Sequence, residues 1–261
     1  MRNYFLMGCF CLLLPACMGG EARQEEQAAD TLADTQWLPG LDDNTESPVF
    51  KIKGDSIYYA SQINAPLKYD LKNDTLTIYG VETVHYPLER CQEQALQFRT
   101  PVGDMVSLHK SDNDSAFVAL SVTGPEKKEV ISKDLAVMYQ GKRYRGYVYI
   151  NPTSIKVVRP SLTEEGLTMD NVYYDNVIHI CVYQGKQRLY AKDITRQMFS
   201  SVVPDDYLKM SILSDMDFIG VDAEGYHYLA TLCIPDGASC YNVELTIDRD
   251  DQLSFSSADV E

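Results

Sequence analysis

The sequence predicts a mainly β protein: antiparallel sheets, sandwich or barrel-like, in two blocks, with one or two short helices in the second. Three observations predict it. Apolar and polar residues alternate in short runs, the period of a half-buried strand. Successive runs are joined by brief polar or Gly-containing segments, as hairpins are. Tyrosine, which suits pleated half-buried surfaces, occurs 18 times against one tryptophan, Trp37.

The chain opens with Arg2 and an apolar run from Tyr4 to Leu14. About 11 residues are too few for a spanning helix, which needs roughly 20. They have the length and basic flank of a signal peptide's apolar region. Leu14-Pro15-Ala16-Cys17 resembles the bacterial lipobox. That resemblance implies cleavage of residues 1–16 and acylation of Cys17. Each buried methylene of an acyl chain adds about 0.8 kcal/mol, so several chains make a lasting membrane anchor. Met18 is not Asp, which by resemblance to enteric lipoproteins points to the outer membrane, its periplasmic or outer side left open. Residues 17–35 are rich in Glu, Gln, Ala and Asp with almost no large apolar residue, and read as a flexible acidic tether. A coil of that length reaches about 23 Å.

The first block is expected over residues 36–123. Val49 to Lys53 and Ser56 to Ala60 flank Gly54-Asp55, and Leu67 to Leu71 and Thr75 to Tyr79 flank Lys72-Asn73-Asp74. Met105 to His109 and Ala116 to Leu120 flank Asp112-Asn113-Asp114 as a third hairpin. Leu88 to Leu96, carrying Cys91, has helical or irregular spacing. Trp37 at the start of a hairpin succession resembles the lipocalin-like β domains of small bacterial lipoproteins, although the lipocalin Gly-x-Trp is absent, Gln36 preceding Trp37.

Gly124 to Glu129 is polar and carries breakers, so the second block is expected over residues 130–257. Leu135 to Tyr139 and Tyr144 to Ile150 form a hairpin, and residues 151–170, with prolines and few periodic apolars, read as a long loop. Asn171 to Tyr183 returns through Gln184-Gly185-Lys186 into Arg188 to Ala191. Asp193 is expected to cap a helix over 194–202, and Pro204 to start another over 205–212, with two acids at its positive end. Met216 to Val221, Tyr226 to Ile234, Tyr241 to Ile247 and Leu253 to Phe255 then form a meander. Tyr147 to Pro152, Tyr174 to Tyr183 and Cys233 to Tyr241 carry a resemblance, over roughly 139–247, to an uncharacterised family of gut-bacterial lipoproteins, a domain of unknown function. The resemblance brings no activity with it.

Composition narrows the chemistry. The net charge is −15, and loss of Arg2 with the leader makes it one unit more acidic. Such a chain repels nucleic acid and anionic lipid headgroups, so no nucleic-acid partner is expected. Of seven cysteines, Cys91, Cys181, Cys233 and Cys240 remain beyond the leader and Cys17. Cys233 and Cys240 would face each other as a non-hydrogen-bonded pair if Pro235 to Ala238 form the loop and Ile234 pairs with Ser239, and they are the disulfide candidates. Cys91 to Cys181 is the default second bridge.

His179 with Cys181, and His227 with Cys233, share strand faces as zinc ligands do, but without metal-site spacing, and no metal or other cofactor is expected. Acidic pairs recur at Asp42-Asp43, Asp112 with Asp114, Asp205-Asp206, Asp215 with Asp217 and Asp250-Asp251, mostly in turns, where Asp bonds its own backbone. Asp215 and Asp217, among apolar neighbours, are the least turn-like. No nucleophile elbow, zincin motif or phosphate loop is present, and no catalytic residue is assigned. The only histidines are His85, His109, His179 and His227. The tyrosines offer stacking surfaces for sugars or other planar ligands, packing being the commoner use. The sequence thus points to a lipid-anchored, non-catalytic binding or envelope accessory module with a small-molecule, glycan or protein partner. The alternatives are a carboxylate-dependent hydrolase of extracellular glycans and a structural protein-interaction lipoprotein.

Overall fold

The computed structural model describes residues 36–39, 49–60, 64–111 and 129–258. The expected leader, Cys17 and its tether, Asp42-Asp43, Asp112 to Asp114 and Ala116 to Leu120 lie outside the described residues.

The first body is an eight-stranded antiparallel meander: β1 (Gln36–Pro39), β2 (Phe50–Lys53), β3 (Ser56–Tyr59), β4 (Leu67–Lys72), β5 (Thr75–Tyr79), β6 (Thr83–Gln92), β7 (Ala95–Arg99) and β8 (Met105–Ser111). β1 pairs with β2 on one side and β8 on the other, which closes the barrel. Asn73 and Asp74 turn β4 into β5 with both φ angles positive, at 49° and 53°, the twist that two-residue hairpins favour. Eight strands leave an interior just wide enough for side chains. Here Trp37, Phe50, Tyr86 and Phe98 fill it, with Ile52, Ile57, Leu76, Ile78 and Leu96 around them.

Two expectations in this body are corrected. Leu88 to Leu96 is not helical or irregular; it supplies the end of β6 and the start of β7. β6 pairs with β5 over Thr83 to Pro87 and with β7 from Leu88 onward, with a bulge before Arg90. Pro87 stands at that change of partner, and the bulge disrupts the alternation that would have marked a strand. Met105 to His109 pairs with β7, and Leu108 to Ser111 with β1, so β8 takes its partners from within the barrel.

The second body is a sandwich. Its first sheet runs β12 (Gln187–Ile194), β11 (Thr168–Gln184), β10 (Lys142–Leu162), β9 (Ile131–Tyr139). Its second runs β13 (Ile212–Val221), β14 (Tyr226–Cys233), β15 (Cys240–Ile247), β16 (Leu253–Ser257). Inner-facing Val148, Ile178, Ile180 and Val182 meet Met216, Phe218, Tyr228 and Leu245 in one core. The sheets approach closely where Gly146 faces Phe218: a Cβ on Gly146 would lie 2.1 Å from the ring.

A 3₁₀ helix (Arg196–Phe199) and α1 (Asp205–Met210) cross between the sheets. The first is shorter than expected, and its N-cap is Thr195; Asp193 belongs to β12 and bonds His179. Pro204 and two acids open α1 as expected, and it ends at Met210. Asp175, buried on β11, fixes this crossover. Its Oδ1 accepts from the Leu213 and Asn176 amides at 2.9 and 3.0 Å, and its Oδ2 lies 2.9 Å from Arg196 Nε. The Arg196 guanidinium in turn donates to the carbonyls of Leu208 and Ser211.

Residues 151–170 are not a long loop. β10 runs through 21 residues and β11 through 17, so their hairpin extends well beyond the sandwich. β9 pairs with β10 only as far as Ile150. Beyond it β10 has one strand neighbour, so Pro152 and Pro160 cost no ladder bond on the open side, and a bulge follows Pro152. The hairpin's tip enters the barrel. Leu167 is 0% exposed and packs in the barrel core. Tyr59 Oη donates to the Thr168 carbonyl at 2.6 Å, Tyr86 Oη accepts from the Thr168 amide at 2.7 Å, and Asp170 Oδ2 accepts from the Val81 amide at 2.8 Å. The tip is therefore a plug made of sandwich strands.

Candidate functional site

The outer face of the first sandwich sheet gathers aromatic rings. Strand alternation turns Val148 and Ile150 inward and Tyr147 and Tyr149 outward. Register then decides their neighbours: Tyr147 stands opposite Cys181 on β11 and Asp134 on β9, and Tyr149 opposite His179 and Ser132. The rings of Tyr147 and Tyr149 are parallel within 5°, with centroids 6.3 Å apart. Tyr183 meets Tyr147 edge-on at 5.6 Å, and the His179 ring lies 6.2 Å from Tyr149. The Arg145 guanidinium sits 5.1 Å from the centre of the Tyr147 ring and donates from Nε to Asp134 at 2.6 Å. His179 Nδ1 and Asp193 Oδ1 are 2.7 Å apart. Burial, helped by Cys181, Tyr147, Tyr183 and Asp134, holds the Tyr149 phenol above its usual range, so it is a neutral hydroxyl at physiological pH.

His179 and Cys181 do share this face, yet they do not act together. Cys181 is buried, and burial pushes its thiol up, against the opposing pull of Arg188, which makes it a poor ligand and nucleophile. It is not bridged, and Cys91 sits in the barrel wall opposite Leu96, so the expected Cys91–Cys181 bond is not formed. Cys233 and Cys240 are bridged, as opposite residues of β14 and β15 with Cα atoms 4.1 Å apart, the close spacing of a non-hydrogen-bonded pair. The Ile234 amide donates to Ser239, as the loop geometry required. Closing that loop contributes about 2.5 kcal/mol in the chain-entropy model. The loop rests on the long hairpin: Tyr173 Oη donates to Asp236 at 2.5 Å, and Arg159 donates to the Pro235 carbonyl. Burial and the Asp236 carboxylate push the Tyr173 phenol up to about 12.

His227 lies on the outer face of the second sheet, away from the tyrosines. Its Nε2 meets Asp222 at 2.8 Å and its Nδ1 meets Glu244 at 2.9 Å, with Thr246 Oγ1 at 3.2 Å. Burial works against the charged ring, but the two carboxylates prevail and raise its pKa. Thr246, His227 and Asp222 have the outline of a hydroxyl–imidazole–carboxylate triad. With Glu244 also on Nδ1, the carboxylates on both nitrogens favour the charged ring that donates twice, and leave no nitrogen placed as a base for the threonine.

Asp215 and Asp217 converge on Lys133 of β9, at 2.6 and 3.0 Å, and serve as an ion-pair clasp between sheet edges. Asp205 and Asp206 open α1, and Asp250 and Asp251 lie in the β15–β16 turn. Among the described residues, no three His, Cys, Asp or Glu side chains are placed to hold a metal ion. Asp175 and Arg196 escaped the sequence reading, because a buried pair formed across the sandwich leaves no local pattern.

Residues 110–255 match the family described as Domain of unknown function (DUF4738), more than half of the chain. No curated protein matches the sequence. The match takes in the sandwich from β9 to β15 and the first residues of β16, with its tyrosine face and plugging hairpin, so the chain belongs to the DUF4738 family.

Proposed function

We propose that the protein is a non-catalytic binding module of the cell envelope, held at the outer membrane by acyl chains on Cys17 and meeting its partner through the tyrosine face. The carrying observation is that face: three tyrosines and a histidine brought together on an outward sheet surface, Tyr147 and Tyr149 by strand alternation, Tyr183 and His179 by the register of β11 on β10. The packed interiors of barrel and sandwich support the same reading, since side chains already occupy both. His227 with Asp222 and Glu244, His179 with Asp193, and Asp215 and Asp217 with Lys133 are groups of the kind a hydrolase would use, and each is engaged in an ion pair or hydrogen bond of the fold.

Two measurements test it. Wild type should partition into the detergent phase of a Triton X-114 extract, and Cys17→Ala should move to the aqueous phase; equal partitioning removes the anchor. A photo-crosslinking residue at Ala191, exposed beside Cys181 on the tyrosine face, should trap a partner in intact cells. The same probe at Ser256, on the outer face of the second sheet, should trap none. No adduct from Ala191 removes the binding face.

A further inference from the structure

We infer that the tyrosine face binds a neutral glycan strand, an inference that rests on reading this face as the binding surface. The C–H faces of a pyranose lie against the electron-rich faces of aromatic rings, while its hydroxyls need planar donors and acceptors beside them. The face supplies both: Tyr147 and Tyr149 as parallel rings, with Asp134, Arg145, His179 and Asp193 around them.

Charge selects an uncharged ligand. Arg145 is paired with Asp134 and His179 Nδ1 is bonded to Asp193, so the groups directly beside Tyr147 and Tyr149 are engaged on the protein before any ligand arrives, while Arg188 stands exposed opposite Tyr183. A carboxylated, sulfated or phosphorylated chain would meet Arg188 at the edge of the face but Asp134 and Asp193 beside the rings, and would approach a protein of net charge −15. The surround selects sugar over protein. An aromatic hot spot of a protein interface sits in a well-packed, fully desolvated pocket. The residues opposite these tyrosines are Ser132, Asp134, His179 and the buried Cys181, with Ala191 and Asp193 one strand further on: small or polar, and, apart from Cys181, reached by water. The rings are also held in place beforehand, Tyr147 by Tyr183 and Arg145 and Tyr149 by His179, which lowers the ordering cost of binding. An outward sheet face that spans β9 to β12 suits a chain lying across the strands.

The test is native affinity electrophoresis of the full protein in detergent. Gels would contain soluble neutral polysaccharides (a β-glucan, a xylan, a mannan, a starch) or the polyanions alginate and hyaluronan. At least one neutral gel should retard wild type. Tyr147→Ala and Tyr149→Ala should each weaken that binding about tenfold, and Ala191→Glu should weaken it without touching a ring. Tyr147→Phe and Tyr149→Phe keep the rings and should keep most of the retardation, which separates ring stacking from damage to the fold. The inference is overturned if no neutral gel retards wild type, if retardation survives both alanine variants, or if only the polyanions retard it. A crosslink from Ala191 that ends on protein, with no neutral gel effective, overturns the glycan and leaves the binding face standing. No adduct from Ala191 removes the face itself.

Discussion

The fold favours the charged ring of His227, because both ring nitrogens face carboxylates. Asp222 responds in kind: the bond from His227 holds its carboxyl below the usual range. The folded pKa of His227 is raised above the unfolded value of about 6.5. Its stabilisation is therefore complete below that unfolded value and is lost as pH rises through the folded one. Urea midpoints of wild type and His227→Gln should differ most at and below about pH 6 and converge as pH rises through the folded value; a constant gap would mean the ring is not charged in the fold. Gly146 makes a steric demand instead. A Cβ there meets Phe218, so Gly146→Ala should cost about 1–3 kcal/mol by urea unfolding, and Phe218→Leu in the same chain should return part of it. Neither role is visible locally. Gly146 sits in a run that reads as ordinary strand, and what makes it glycine is a ring more than seventy positions away.

At the scale of elements, the β10–β11 hairpin joins the two bodies. Leu167 is the only large aliphatic residue between Leu162 and Met169, and it is buried among barrel side chains. Leu167→Ala should cost about 2–5 kcal/mol. Tyr86→Phe would strip the buried Thr168 amide of its acceptor and should cost about 1–3 kcal/mol. Both are read as urea midpoints, and barrel and sandwich signals should shift together. The contrast with the other hairpins explains what the sequence could convey. β2–β3, β4–β5, β9–β10 and β14–β15 are closed by their own turns, so alternation and turn residues sufficed. The outer half of β10 is ordered by β11 and a barrel formed by residues 36–111, and its prolines and interrupted pattern resemble a loop. The tyrosine face is intermediate. Tyr147 and Tyr149 are recognisable as neighbours on one strand, whereas His179 and Tyr183 join them only through the register between β10 and β11.

For the whole molecule, the family match begins at residue 110, where the barrel's last strand is ending. Residues 129–258 produced alone would present Leu167 and the Thr168 backbone to water. They should unfold at a lower urea midpoint than the full chain and self-associate on gel filtration, and a Leu167→Ser change in that fragment should restore a monomer. An unaltered midpoint and a monomeric wild-type fragment would show that the plug is incidental to the sandwich. The reach of β10, about 70 Å at strand rise over 21 residues, has one more consequence. It works as a gauge block between two bodies that must agree on its length. Deleting one residue between Pro152 and Leu162 would turn Leu167 to the wrong side of its ribbon; deleting a facing pair from each arm would preserve sidedness but draw the tip back by several ångströms. Length changes in that arm are therefore tolerated only with a matching change in the depth of the barrel mouth.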